Sequence, residues 1–370
     1  MHREFLGRLG FGQSARIAGI RLCTATPAAQ KTFVARLEQL GLARCARINL
    51  HCNGTLDAAL TPEAAAGLMP RFETLDLAER LQSNSALMLE REIVAALLGS
   101  PLRFEYPSFA EFAAALRVRA NIVEAARRTQ LAFDTEAAER PWEYWAYDDT
   151  RGFTVRPGKS LIEALQKATQ PEAPENKYAF SCYRATEYIL LLGIAQELAT
   201  HNPALYTRLQ QQWETQAIMS SRFHEAFLHE FGSLDIPGDR LWFRNPDERS
   251  ADITGYEGSW VFYLGGGLFS NFWRTDRPYT LAGKCLEIYH WRHGVRPAET
   301  HGELHMDETA VDNCVQESLM HPEETRRILE RMLRLRDGRG IYAEGGCIDA
   351  SRECARAVCP ETADLRLPCQ

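Results

Sequence analysis

No stretch of this chain is apolar for long enough to span a bilayer; the densest run, from Leu190 to Ile194, is far too short. An excess of basic charge is also missing. Lys and Arg together number 42 against 49 Asp and Glu, a formal net charge of -7, which excludes a broadly basic nucleic-acid surface. The opening residues, Met1-His2-Arg3-Glu4-Phe5-Leu6, lack the long apolar core of a secretory signal. The expectation is therefore a cytoplasmic protein, or one exported without a classical signal peptide. Gly10-Phe11-Gly12 lacks the third glycine of a dinucleotide loop and takes no phosphate role. No repeat of fixed period is present. Cysteine is not scarce, at ten residues, but none of them makes a C-x-x-C pair, so the usual zinc and redox patterns are absent. Four of the ten, Cys347, Cys354, Cys359 and Cys369, fall in the last segment at uneven gaps. Free thiols are the expectation, with disulfides or a metal site as alternatives.

What is present reads as a globular chain. Its 370 residues, 45% hydrophobic and 25% charged, suffice for one large domain or two ordinary ones. Three divisions are expected: a helical extension over 1–100, a catalytic region over 101–300, and a C-terminal extension over 301–370, helical and then Cys-rich. In the first, Thr61-Pro62-Glu63 is a helix start, residues 72–98 carry helical spacing, and a short strand falls at Ala46–Leu50. Asn53-Gly54-Thr55 reads as a turn. Leu102–Tyr106 alternates as a strand, and Ser108 with Glu111 forms a capping box for a helix from Phe109 to about Ala132. Trp142 to Val155 reads as a hairpin, Ser160 caps another helix, and further helices are expected near 204–219 and 223–231. A strand-rich block follows. Arg240–Arg244 and Ser259–Leu264 are strands, Gly265-Gly266-Gly267 is a turn rather than a phosphate cradle, and Leu268–Trp273 returns as the partner strand. Residues 281–295 read as a helix, and a polar helix follows near 323–335.

The chemistry centres on Cys182. A polar, Pro-bearing segment runs into it, and Ala185, Tyr188, Ile189 and Leu192 follow at helical spacing. Cys182 therefore falls on the first turn of a buried helix, where free N–H groups and the positive dipole end favour a thiolate and can hold an oxyanion. Two readings stand: a nucleophile, or a small buried core residue. His301-Gly302-Glu303-Leu304-His305 has Gly where a zinc protease helix needs Glu, so it is no metal motif, and His290 and His293 read as helical surface residues. No cofactor site and no metal-ligand set is assigned. The aromatic group of Trp242, Phe243, Trp260, Phe262, Tyr263, Phe269, Phe272 and Trp273 reads as core, or as the wall of an apolar tunnel beside Cys182. Glu257, on the Gly-flanked turn Gly255-Tyr256-Glu257-Gly258, is either an exposed turn residue or a base whose strength comes from desolvation.

Taken together, Pro101–Tyr106, Leu116–Ala126, Tyr178-Ala179-Phe180-Ser181-Cys182 and Gly238–Pro246 resemble, in order, the bacterial spore-coat type of protein-glutamine γ-glutamyltransferase, or transglutaminase. The resemblance covers about residues 100–295. It implies an α+β fold with a papain/NlpC-P60-like core, an antiparallel sheet packed on helices. It places the nucleophile at Cys182. It departs from the family at Ser181, where the family has Glu; at Glu257-Gly258, where the family order is Gly-Glu; and at Asn271, near the family's His. It implies a Cys182, Glu257, Asn271 set, with Glu257 as base and Asn271 as orienter or oxyanion donor. The implied reaction is acyl transfer from protein glutamine to a lysine or small amine through a thioester, with protein substrates as partners and no cofactor. The alternatives are a glutamine deamidase or amidase, including a delivered toxin with an immunity partner, or an inactive relative acting as a binding module.

Overall fold

The computed structural model describes residues 17–69, 77, 80–81, 87–100, 103–134, 139–173, 176–215, 236–298, 304–333 and 346–347. The described residues before 100 include β1 (Gly19–Thr24), α1 (Pro27–Gln39), β2 (Ala46–Leu50), β3 (Leu56–Leu60), α2 (Pro62–Leu68) and α3 (Met88–Gly99). Thr26 and Thr61 cap α1 and α2 through their hydroxyls. β4 (Arg103–Ser108) completes a four-stranded sheet of order β2-β3-β1-β4, in which β1 runs antiparallel to β3 and parallel to β4. The expected helical N-terminal extension is thus corrected: this segment is a sheet covered by helices, and the sheet crosses residue 100. Leu56, Ala58 and Leu60 are buried in β3, where ladder pairing on both flanks overrides the weak strand preference of alanine. The expected strand at Ala46–Leu50 forms, and Asn53 Oδ1 accepts from Thr55 N–H in the turn that follows. Gly10-Phe11-Gly12, residues 72–76 of the expected helical stretch and the expected helix at 223–231 lie outside the described residues.

The central layer is helical. α4 (Phe109–Arg128) starts on Ser108, whose Oγ accepts from Glu111 N–H. After β5 (Ala132–Phe133) come the hairpin β6 (Trp145–Asp148) and β7 (Gly152–Val155), then α5 (Leu161–Thr169) on its Ser160 cap. β8 (Ala179–Phe180) leads into α6 (Cys182–His201), and α7 (Pro203–Thr215) follows. α6 is buried around most of its circumference, from Ala185 through Ala195. A helix apolar on every side belongs inside, and α6 packs against α4, α5 and α7. This packing makes it the axis of the largest core cluster.

The third layer holds β9 (Arg240–Arg244), α8 (Glu248–Ala251), β10 (Gly258–Gly265), β11 (Leu268–Phe269) and β12 (Tyr279–Thr280). Its strands form an antiparallel sheet of order β12-β11-β10-β9, with β10 lying on α6. The expected partner strand to Trp273 is shorter, ending at Phe269. The Gly265–Gly267 turn has positive φ at all three residues. It wraps an internal carboxyl group instead: Glu92 of α3 accepts from Gly266 N–H at 2.9 Å and from Tyr263 O–H at 2.6 Å. A side chain at Gly265 would meet Glu92 Oε2 at 2.9 Å, so glycine is required there on two counts. A buried ion pair joins the layers as well, with Arg119 Nη1 2.6 Å from Asp239 Oδ1.

The chain continues through α9 (Leu281–Gly294), the short pair β13 (Val295–Pro297) and β14 (Leu304–Met306), α10 (Glu308–Met320) and α11 (Pro322–Met332). α11 answers the expected polar helix; α10 was not anticipated. Cys347 N–H donates to Met332 O, and Arg244 N–H on β9 donates to Cys347 O at 2.7 Å. The Cys347 and Cys285 sulfurs are free thiols 3.4 Å apart. No helix among the described residues is long and apolar enough to cross a membrane. The whole is a mixed helix-and-sheet, α+β molecule.

Candidate active site

Cys182 is the first residue of α6. Ser181 precedes it in extended conformation and caps the helix, its Oγ accepting from Arg184 N–H at 3.3 Å. The approach is fixed by β8, paired in parallel with β5, and by Arg140. The Arg140 guanidinium lies 3.5 Å from the centroid of the Phe180 ring and donates to Tyr188 O–H at 3.0 Å and to Ala179 O at 3.3 Å. The two residues before Cys182 therefore have little freedom.

Burial pushes the Cys182 thiol above its ordinary value. Four groups oppose that shift: the backbone N–H of Trp260 on β10, the Lys284 ammonium, the backbone N–H of Tyr183 and the Arg240 guanidinium. Arg240 is stacked 3.7 Å from the Trp260 ring centroid and 4.7 Å from that of Tyr183. The sulfur thus sits where a negative charge meets hydrogen-bond donors and cations.

Cys182 opens onto a cavity of about 470 Å³. Phe133, Tyr256, Trp273, Tyr279 and Trp291 supply its aromatic wall. Phe133 contacts Trp273 edge-on at 5.2 Å, and Tyr256 contacts Trp291 edge-on at 5.2 Å. Of the aromatic group noted in the sequence, Trp273 alone reaches this cavity, while Phe262, Tyr263, Phe269 and Phe272 are core. α10 adds an apolar part of the wall through Val311, Val315 and Leu319.

Among the described residues three carboxylates line the cavity, each with a partner. Asp312 takes Arg274 Nη1 at 2.8 Å, and Glu308 accepts from Tyr256 O–H at 2.9 Å. Glu287 takes Lys284 Nζ at 3.1 Å. Lys284 is 2% exposed, and its Nζ lies 4.0 Å from the Tyr279 ring centroid. It is also the side-chain cation with the largest pull on the Cys182 thiol.

Asn271 lines the cavity, but its amide holds the loop that follows. Nδ2 donates to Arg277 O at 3.0 Å, and Oδ1 accepts from Arg274 N–H at 3.1 Å. Glu257 is exposed and absent from the cavity wall, its two carboxylate oxygens each 3.1 Å from Gly255 N–H. A side chain on the neighbouring Gly258 would meet Phe243 O and the Trp242 ring at 2.4 Å, so that position has no room for a carboxylate either. The structure brings Cys182 and Asn271 to one cavity and leaves Glu257 outside it.

Lys284, Glu287 and Glu308 were not singled out in the sequence. For Lys284 a signal existed: it shares helical spacing with Ile288 and Trp291, which puts a lysine on the buried face of α9. Glu308 gave none, because α10 reaches the cavity only through tertiary packing.

The chain matches the family model described as protein-glutamine gamma-glutamyltransferase over residues 69–364. Among solved structures it is similar to the transglutaminase from Geobacillus stearothermophilus (without C-terminal extension), with 21% sequence identity and a TM-score of 0.37. That match covers 55% of this chain and 96% of the other. No curated protein matches. With four fifths of its length inside that family model, the chain belongs to the protein-glutamine gamma-glutamyltransferase family.

Proposed function

We propose that Cys182 performs a two-step acyl transfer on protein glutamine, and that Glu287 accepts its proton. Family membership supports a glutamine-directed transferase acting on protein substrates. The observation that carries the mechanism is a thiol at the head of buried α6, opening onto an aromatic cavity shared with a buried ammonium. A helix with a cysteine at its N-terminus, laid against the antiparallel sheet at β10, is also what a papain-type core would need.

In the first step the Cys182 thiol proton moves to Glu287, the cavity carboxylate tied to Lys284, and the sulfur attacks the glutamine carboxamide carbon. The α6 N-terminus stabilises the oxyanion. Collapse of the intermediate breaks the C–N bond, Glu287 returns its proton to the departing nitrogen, and ammonia leaves behind a thioester. In the second step an amine attacks the thioester, giving an isopeptide bond and regenerating the thiol. If water attacks instead, the product is glutamate. Asn271 positions the loop carrying Trp273 and Arg274, and the aromatic walls favour amine over water by keeping the cleft dry.

The test is incorporation of a fluorescent primary amine into a glutamine-bearing protein. Cys182→Ala should lose the activity by about a thousandfold or more. Glu287→Gln should lower kcat by about a hundredfold, while Cys182 stays open to alkylation. The same reaction run without amine, scored for glutamine-to-glutamate conversion by mass, measures the deamidase arm. Undiminished amine incorporation by Cys182→Ala would sink the assignment.

A further inference from the structure

Away from the cavity, α9 and α10 bring three metal-ligating side chains together. His290 and His293 stand one turn apart on α9, and their Nδ1 atoms are 2.9 Å from each other. Cys314 on α10 completes the group: one ligand atom from each of the three lies within 4.8 Å of the others. None of the three lines the reaction cavity. The sequence reading placed both histidines on the surface, and that is corrected for His290, which is 3% exposed. Its Nε2 lies 2.8 Å from Ser318 Oγ on α10.

Donor chemistry and geometry agree on a class of ligand. Two imidazoles and a thiol are the borderline-soft donors that suit zinc and its first-row neighbours, not calcium or magnesium. Tetrahedral zinc holds two imidazole nitrogens about 3.3 Å apart and a thiolate about 3.6 Å from each, given its usual bond lengths. The two Nδ1 atoms are already within about half an ångström of that spacing, and a side-chain rotation brings the sulfur in. With His290 Nε2–H donating to Ser318 Oγ, its Nδ1 keeps a lone pair directed at His293. Outer hydrogen bonds of this kind fix the tautomer of metal-bound histidines. His293 is exposed and Cys314 half-buried, which leaves an open approach for the ion.

We propose that His290, His293 and Cys314 form a transition-metal site of the zinc class that clamps α10 onto α9. Binding moves the His293 Nδ1 proton through solvent to His293 Nε2 and releases the Cys314 thiol proton to solvent, with water filling the fourth position. The clamp carries no reaction. Its consequence is mechanical: α10 is the wall that Val311 and Val315 contribute to the cavity, and the ion fixes that wall against the helix bearing Lys284.

The test uses the full chain, reduced and stripped with a chelator, then titrated with zinc against a colorimetric zinc indicator and separately with cobalt. One equivalent of zinc should bind, and cobalt should give a thiolate-to-metal absorption band. Cys314→Ser should abolish the band and weaken zinc by more than about tenfold, and His293→Gln, at an exposed position, should weaken zinc similarly. Cys182→Ser should keep both the equivalent and the band. Failure of the chain to compete with the indicator overturns the proposal. So does an equivalent that survives both Cys314→Ser and His293→Gln. If Cys314→Ser fails to fold by circular dichroism, His293→Gln decides alone.

Discussion

A thiol raised by burial needs a neighbouring positive charge to ionise, and Lys284 supplies the largest such pull from a side chain on Cys182. The thiol should therefore alkylate with a pH midpoint above the free-cysteine region near about 8.5. Removing the ammonium takes away a charge that favours thiolate, so Lys284→Met should move the midpoint further up and slow alkylation at neutral pH by about tenfold. Peptide mass analysis of iodoacetamide labelling across a pH series checks this. A Lys284→Met midpoint at or below that of the wild type contradicts it. At this scale the sequence told a good deal about the placement of Cys182, because a cap residue, the cysteine and an apolar helical run are adjacent in the chain. It told little about Glu257 and Asn271. Whether a turn carboxylate faces a cleft depends on which way the turn folds, and Glu257 folds back onto Gly255 N–H.

Among the elements, the first sheet carries its own acid sensitivity. Arg21 on β1 and Asp57 on β3 are cross-strand neighbours, with Nε to Oδ1 at 2.7 Å and Nη2 to Oδ2 at 2.8 Å. Arg21 first, and His51 after it, hold the Asp57 carboxyl down from 3.8 to about 2 against the opposing effect of burial. A depressed carboxyl stabilises the fold above the unfolded value, and that stability is lost as pH falls from about 4 through about 2. Asp57→Asn should cost about 1 kcal/mol at neutral pH, kept small by solvent screening, and should flatten the stability loss in that acid window. Urea denaturation at pH 7 and pH 3 measures both. Helix starts were the most legible elements: Thr61, Ser108 and Ser160 each cap where their side chains announce it. β1 and β3 were not, because a strand of five or six residues is too short to show a pattern of its own until its partners define it, and β3 is further weakened by its alanines. β4, one of those partners, lies more than forty residues beyond β3.

The cavity belongs to the whole molecule. Cys182 comes from α6, the buried Lys284 from α9 and a further wall from α10, and two polar contacts reach to that wall: Arg274 to Asp312 and Tyr256 to Glu308. Weakening both should let α10 move. The double variant Arg274→Ala/Tyr256→Phe should react several-fold faster at Cys182 with a bulky maleimide, while its reaction with small iodoacetamide changes little. Equal acceleration by both reagents would point to general loosening instead. The resemblance in sequence ended near residue 295, so α10 stood outside it; assembly of a wall from a helix distant in the chain leaves no local mark. One further consequence follows from the 2.7 Å hydrogen bond between Arg244 and residue 347. β9 is the last strand of its sheet as described, and the Cys347 carbonyl covers the Arg244 N–H on its free side. Stripped of that cover, a bare strand flank recruits the same flank of another molecule. A chain stopped after Leu333 should therefore self-associate, eluting earlier from a sizing column than the full chain as protein concentration rises, and identical elution at all loadings would refute it.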